Sequence, residues 1–277
     1  IAVFDKETSV GQHASGRNSG VMHAGFYYSP DSLKAALTRD GNQLLREFCA
    51  SEGIAIKQTG KVVVTQTEAE VKVLHELHRR GTANGVITEI VSAEQLLELE
   101  PLARTEQVAL WSPNTAVANP LEVTQALANK VAREGSQLKL GQRVTSTLPN
   151  RIITNLGNYS IGHIVNTAGL YADKIAKPFG FCDDYQMLPF KGLYWYGNWA
   201  PGTLQRHVYP VPDVRNPFLG AHLTVTVDGR AKIGPTAIPI FSRESYSGIG
   251  GLSAKEILNI AGIYPKFLTS KHHDVFG

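Results

Sequence analysis

The chain has 277 residues, 43% hydrophobic and 18% charged, with 26 Gly and 14 Pro, which excludes disorder, collagen and coiled coil and fits one large or two ordinary globular domains. Lys plus Arg exceed Asp plus Glu by 27 − 24 = +3, with the signs interspersed, so nothing calls for nucleic acid. Cys49 and Cys182 form neither a CxxC pair nor a Cys/His cluster; this argues against zinc, suits a reducing compartment and suggests two buried small hydrophobes.

Ile1 to Phe4 is a short apolar run before Asp5, the pattern of a buried parallel strand met in the middle of a fold. Gly11 to Gly25, GQHASGRNSGVMHAG, is too polar and glycine-rich for a core element and is expected to be a loop. Pro30-Asp31-Ser32 opens a helix whose Leu33, Leu37, Leu44, Leu45 and Phe48 should dock on a sheet, with Gly53 ending it. Lys61 to Thr65 is a β-branched strand, and 67–85 a charged helix with Val71, Leu74, Leu77 and His78 on one side. Ser92 and Gln95 form a capping box for a short helix that stops before Pro101. Asn119-Pro120 opens another helix, closed by Gly135, and Leu138 to Leu140 returns as a strand. Tyr159 to Asn166 reads as a strand running into Thr167-Ala168-Gly169. Beyond Pro189, alternating runs broken by Pro, Gly and Asp-Gly predict an antiparallel sheet, and Ser253 to Leu268 has a helical pattern.

No apolar run approaches the roughly 18 residues that span a bilayer, and no basic, apolar and small-residue leader opens the chain. A cytoplasmic location is expected, with a peripheral contact at the inner membrane left open. Asp5 stands where a dinucleotide-binding fold places the acid that holds the adenosine ribose, or is a solvent-facing acid in a strand-end loop. In SGRNSG, at 15–20, hydroxyls and backbone N–H groups can cradle phosphate and Arg17 can neutralise it; the alternative is an ordinary multi-turn loop. His23 and Tyr27-Tyr28 follow closely, placing a titratable ring beside whatever the loop holds, or simply a packed histidine. Trp111, Trp195 and Trp199 read as core or sheet packing.

The stretch Gly11 to Ala35, GQHASGRNSGVMHAGFYYSPDSLKA, strongly resembles the segment after the second strand in L-2-hydroxyglutarate dehydrogenases (oxidases), a branch of the FAD-dependent D-amino-acid-oxidase-like superfamily. Matching pieces follow in order: IVNTAGLYAD from Ile164, LPFKGLYW from Leu188, VYPVPD from Val208, PFLGAH from Pro217 and DGRAKIGPTAIP from Asp228. The resemblance implies an α/β (α+β) fold. A FAD-binding Rossmann-like domain, incomplete here, would take 1–60 and 115–180, and an antiparallel-sheet substrate domain 61–114 and 181–277. It implies FAD as cofactor, with Asp5 on the adenosine ribose, Ser15, Arg17, Asn18 and Ser19 along the pyrophosphate and ribityl chain, Val144 at adenine, and Ala168 and Gly169 packed against the cofactor. The strand carrying GxGxxG and the C-terminal glycine-rich segment, which make much of that site, do not occur in this sequence, so a shortened chain is expected.

The implied reaction oxidises a 2-hydroxy acid, L-2-hydroxyglutarate in the family, to the 2-oxo acid by hydride transfer to flavin. His23 or His222 would be the base. Lys191, Arg243 and Arg206 are candidates for the substrate carboxylates, with Tyr209 and Tyr246 adding donors. Lys191 stands where an Arg is common, which replaces a planar fork by a point charge. Oxygen or a membrane quinone would accept the electrons. The alternatives are an amine or amino-acid oxidase on the same scaffold, and a catalytically silent truncated remnant.

Overall fold

A computed structural model describes residues 1–213, 220–246 and 254–265. The described residues form two compact units, one from 1–18, 120–191, 238–246 and 254–265, the other from 19–119, 192–213 and 220–237. Residues 19–60, drawn from sequence with the first domain, fall in the second unit because Val21–Met22 and Ile56–Lys57 both pair with Ala116–Ala118. The fold is mixed α/β.

In the first unit, Ala2–Phe4 pairs in parallel with Gln137–Lys139, and the intervening helix, Pro120–Arg133, has Glu122 in its first turn and Lys130 and Arg133 in its last, complementing the helix dipole. The opening strand is parallel as expected but not buried. Val3 is 39% exposed, because only one strand flanks it among the described residues. Val144–Leu148, Arg151–Thr154 and Asn158–Ser160 make an antiparallel meander, and Phe190–Lys191 pairs with Ile238–Pro239. The strand predicted from Tyr159 to Asn166 ends at Ser160. Beyond it no ladder satisfies the backbone among the described residues, and Val165 is exposed. Of the closing helix, Ala254–Ala261 is present; Ser253 and 266–268 lie outside the described residues, as do Pro217 to Leu219 of PFLGAH.

The second unit is built on a seven-stranded sheet in the order Trp195–Tyr196, Ala231–Gly234, His222–Val225, His207–Pro210, Lys61–Val64, Val108–Ser112, Glu89–Ser92. All neighbours are antiparallel except His207–Pro210 with Lys61–Val64. Val62, Val64, Val91 and Ala109 bury one face against Leu96 of the helix Ala93–Leu99, which starts on the predicted capping box at Ser92. The other face is apolar at one end, where Val63 and Leu110 meet Phe26, Leu74 and Leu77, and polar at the other.

The helix Leu33–Glu52 begins at Ser32 and ends at Gly53, as the caps predict. Its leucine stripe does not dock: Leu33, Leu37 and Leu44 are exposed, and Ala35 and Cys49 are the buried positions. Cys182 is only half-buried. Trp195 and Trp199 are exposed and Trp111 half-buried, so only the last serves the sheet core. Among the described residues no helix is long and apolar enough to cross a membrane.

Buried Glu100 closes this unit by accepting the backbone N–H groups of Leu102, Gln205 and Arg206 at 3.2, 2.7 and 2.8 Å. Glu100→Ala removes the buried acceptor of three part-buried backbone donors and is expected to cost about 2 kcal/mol in a urea unfolding experiment.

Candidate active site

Strand register gathers the chemistry on the polar half of the second unit's sheet. His207 lies opposite Lys61, Thr224 opposite Lys232, and His222 opposite Gly234. Val208 and Leu223 pair on the reverse face, so Lys61, His207, Tyr209, His222, Thr224 and Lys232 share one side. His23, just beyond Val21–Met22, meets this face, its Nδ1 3.0 Å from Lys61 Nζ.

Lys61 is 0% exposed. Its Nζ stands 4.2, 4.9 and 5.4 Å from the ring centroids of Tyr209, Tyr27 and Phe26, and burial brings its ammonium down to about 7. His222 stacks on Tyr209 with centroids 3.7 Å apart, and burial lowers it to about 4. Burial, with Lys61 adding repulsion, holds His23 and His207 well below the ordinary histidine range, while it raises the phenols of Tyr27 and Tyr209. His23 nonetheless keeps part of its surface open. Lys232 donates to the Ser19 carbonyl at 3.1 Å beside the Tyr194 ring, and burial lowers it too.

Hydrogen bonds fix opposite tautomers for two of the three histidines. His207 Nδ1 accepts the Val225 N–H at 3.1 Å, which leaves the proton on Nε2. His222 Nδ1 lies 2.9 Å from the Gly220 carbonyl and must donate, which leaves Nε2 as an acceptor. For His23 the choice rests on Lys61.

The first unit holds most of the predicted nucleotide-binding residues. Asp5 ends its strand, with Oδ1 accepting the Glu7 N–H at 2.9 Å. Ser15, Arg17 and Asn18 lie in an exposed loop closed on itself. Asn18 donates to the Ala14 and Ser15 carbonyls at 3.0 and 2.9 Å, and Arg17 Nε to the Gln12 carbonyl at 2.6 Å. A Cβ at Gly16 would come within 2.0 Å of the Gly11 carbonyl, so the loop itself requires that glycine. Both Nη groups of Arg17 and the Ser15 hydroxyl make no hydrogen bond among the described residues, so this donor set fits a nucleotide phosphate. Val144 is half-buried at the head of its strand, and Ala168 and Gly169 are exposed. Gly169 takes φ +53 with open space where a Cβ would stand. Ser19 falls in the second unit, its hydroxyl 3.3 Å from the Val21 N–H.

The predicted carboxylate-binding residues are not gathered together. Arg243 in the first unit is held by both carboxylate oxygens of Asp173, at 2.5 and 2.8 Å. Tyr246 meets His13 Nδ1 at 2.8 Å beneath the Arg17 guanidinium. Lys191 sits half-buried in its two-residue strand. Arg206 in the second unit donates to the Thr59 carbonyl at 3.2 Å and lies over Trp111. Glu7, His13 and Glu244 have the spacing of a metal cluster, but the Lys6 ammonium sits among them, 2.8 Å from His13 and 2.9 Å from Glu244.

Lys61, His207 and Lys232 were not singled out from sequence. The signal for His207 was present: His-Val-Tyr puts it on the face of Tyr209 by simple alternation. In KVVVT the β-branched run marks a strand and says nothing of what its leading Lys61 meets.

The loop of the first unit suits a nucleotide and the sheet of the second carries a histidine–lysine cluster, each in keeping with an FAD-dependent oxidoreductase. The chain belongs to the family described as FAD dependent oxidoreductase, whose profile matches residues 1–262. It is 34% identical over 252 residues to an L-2-hydroxyglutarate dehydrogenase of Escherichia coli O17:K52:H18, covering 89% of this chain and 60% of that protein. It is likewise 34% identical over 278 residues to the mitochondrial L-2-hydroxyglutarate dehydrogenase of Homo sapiens, with 94% and 60% covered. The chain thus spans about three fifths of the length of these relatives. In fold it is similar to the FAD-bound L-alpha-glycerophosphate oxidase of Mycoplasma pneumoniae, with TM-score 0.75 and 23% identity over 94% of this chain and 71% of that one.

Proposed function

We propose that the protein of which this chain is part oxidises a 2-hydroxy acid, L-2-hydroxyglutarate, to 2-oxoglutarate. The observation that carries the reading is the composition of the second unit's cluster. Lys61, Lys232, His23, His207 and His222 are brought together on one sheet face, and no carboxylate hydrogen-bonds them among the described residues. With Lys232 as a donor on this face and no carboxylate among the described residues hydrogen-bonded to the cluster to pair with a substrate ammonium, an anionic ligand is favoured, which sets a hydroxy acid above an amine. The named relatives act on that hydroxy acid.

When bound, FAD supplies the acceptor for the hydride from C2. The Asp5 carboxylate and the Arg17 and Ser15 donors would hold its nucleotide half, with Asn18, Ser19, Val144, Ala168 and Gly169 assigned beside them. The chain's own chemical task is to take the hydroxyl proton and orient the acid. A neutral histidine does the first, either His23 or His222. Lys232 and Tyr209 contribute to the second; Lys191 and Tyr246 are candidates that the family resemblance alone assigns. Arg243, already paired with Asp173, keeps a structural role unless that pair opens.

The test is anaerobic bleaching of the flavin in the full-length, FAD-loaded protein, with oxygen and a quinone then added in separate arms to restore the colour. Bleaching by L-2-hydroxyglutarate and not by glycine or proline is expected. Bleaching by the amino acids alone, or a protein that stays colourless with added FAD, would overturn the reading.

A further inference from the structure

The geometry points to Lys61 as a positioning residue whose charge state selects the tautomer of His23. This rests on the reading of the cluster as the site of hydroxy-acid oxidation. Lys61 Nζ and His23 Nδ1 are 3.0 Å apart, and a hydrogen bond there has two forms. An ammonium has donors only, so it forces Nδ1 to accept and places the ring proton on Nε2. A neutral amine can instead accept from Nδ1–H, and Nε2 then carries the free lone pair that a base needs.

The surroundings of Lys61 favour the neutral form. It is fully buried, and His23 is its one hydrogen-bond partner among the described residues. The groups facing it are Phe26 and Tyr27 from the segment after His23, His207 and Tyr209 from the adjacent parallel strand, and His222 from the next. Ser112 lies opposite on the remaining neighbour. None is a carboxylate, so no countercharge stabilises an ammonium; only the ring faces do. With the amine neutral, the substrate hydroxyl proton passes to His23 Nε2 while the Nδ1 proton moves to Lys61 Nζ. The proton leaves the reaction centre without charging the histidine, and the hydride leaves separately with its electron pair.

The experiment is a pH titration of the full-length, FAD-loaded protein labelled with nitrogen-15 in histidine. Its NMR spectra distinguish the protonated from the bare ring nitrogen. His23 is expected to carry its proton on Nε2 at low pH and on Nδ1 once Lys61 is neutral, and kcat for L-2-hydroxyglutarate should rise over the same range with KM little changed. Lys61→Arg, a permanent donor, should hold the Nε2–H form at every pH and lower kcat by about 10²-fold or more, within the range that loss of a general base costs. Lys61→Gln, whose amide oxygen accepts, should recover part of that loss. A His23 tautomer that does not change with pH in the unsubstituted protein, or changes identically in Lys61→Arg, overturns the inference whether or not turnover is seen. A Lys61-dependent tautomer in a protein without 2-hydroxy-acid turnover overturns the proposed function and leaves this inference standing.

Discussion

Lys61→Met is expected to stabilise the protein by roughly 3 kcal/mol at neutral pH, the net of a burial cost and an aromatic gain. Burial moves the Lys61 ammonium from 10.5 to about 7, which at about 1.36 kcal/mol for each tenfold change in proton affinity corresponds to roughly 5 kcal/mol. Loss of the contacts that the lysine side chain makes with Tyr209, Tyr27 and Phe26 offsets about 2 kcal/mol of this. Between about pH 7 and 10.5 the unfolded chain holds a proton on this lysine that the folded chain lacks, so stability rises with pH across that window. Methionine fills a similar volume and does not titrate. The gap between variant and parent should therefore be widest at and below about pH 7 and close as pH approaches 10. Urea unfolding at a series of pH values measures it. A variant less stable than the parent at pH 7, or a gap that stays constant to pH 10, would contradict the assignment of a costly buried amine.

A lysine that costs stability at its position is a common mark of a working group, and its retention was not legible from sequence. Helix termini were, because their physics is local. Ser32 accepting the Ala35 N–H and Gly53 in the left-handed region are decided within a few residues of the cap. The same holds for Ser92 and Gln95. Burial of an element depends on what covers it, which is why the leucines of Leu33–Glu52 were expected to dock and stand exposed.

The site divides along the same line. His23, Tyr209 and His222 could be named because short motifs carry them, and the structure brings these three onto one sheet face, with Tyr209 against both rings. Lys61 reaches His23 from 38 residues away through a parallel pairing with His207–Pro210 that no pattern in KVVVT announces. Arg243 shows the reverse case. An arginine is a natural candidate for a substrate carboxylate, but only coordinates reveal that Asp173 already supplies one.

Replacing the two candidate bases one at a time should separate them. His23→Ala is expected to lower kcat for L-2-hydroxyglutarate by about 10²- to 10⁴-fold, and His222→Ala by less than about tenfold, with its effect mainly on KM. Both rings are neutral near pH 7, and His222 has the tautomer a base needs, fixed by the Gly220 carbonyl. What it lacks is proton affinity. Lowered to about 4, it is poorly matched to a proton that must be taken near neutrality, and Brønsted behaviour penalises that mismatch. His23 is also depressed, but its second nitrogen faces Lys61, which can take the proton onward at about 7. His222, stacked on Tyr209, holds that ring in place, so its loss should loosen binding. Steady-state kinetics on the two variants in the FAD-loaded, full-length protein gives both parameters. Equal kcat losses would mean that the rings act in series, and a larger loss for His222→Ala would transfer the base to His222 and leave the His23–Lys61 pair without a part in proton removal.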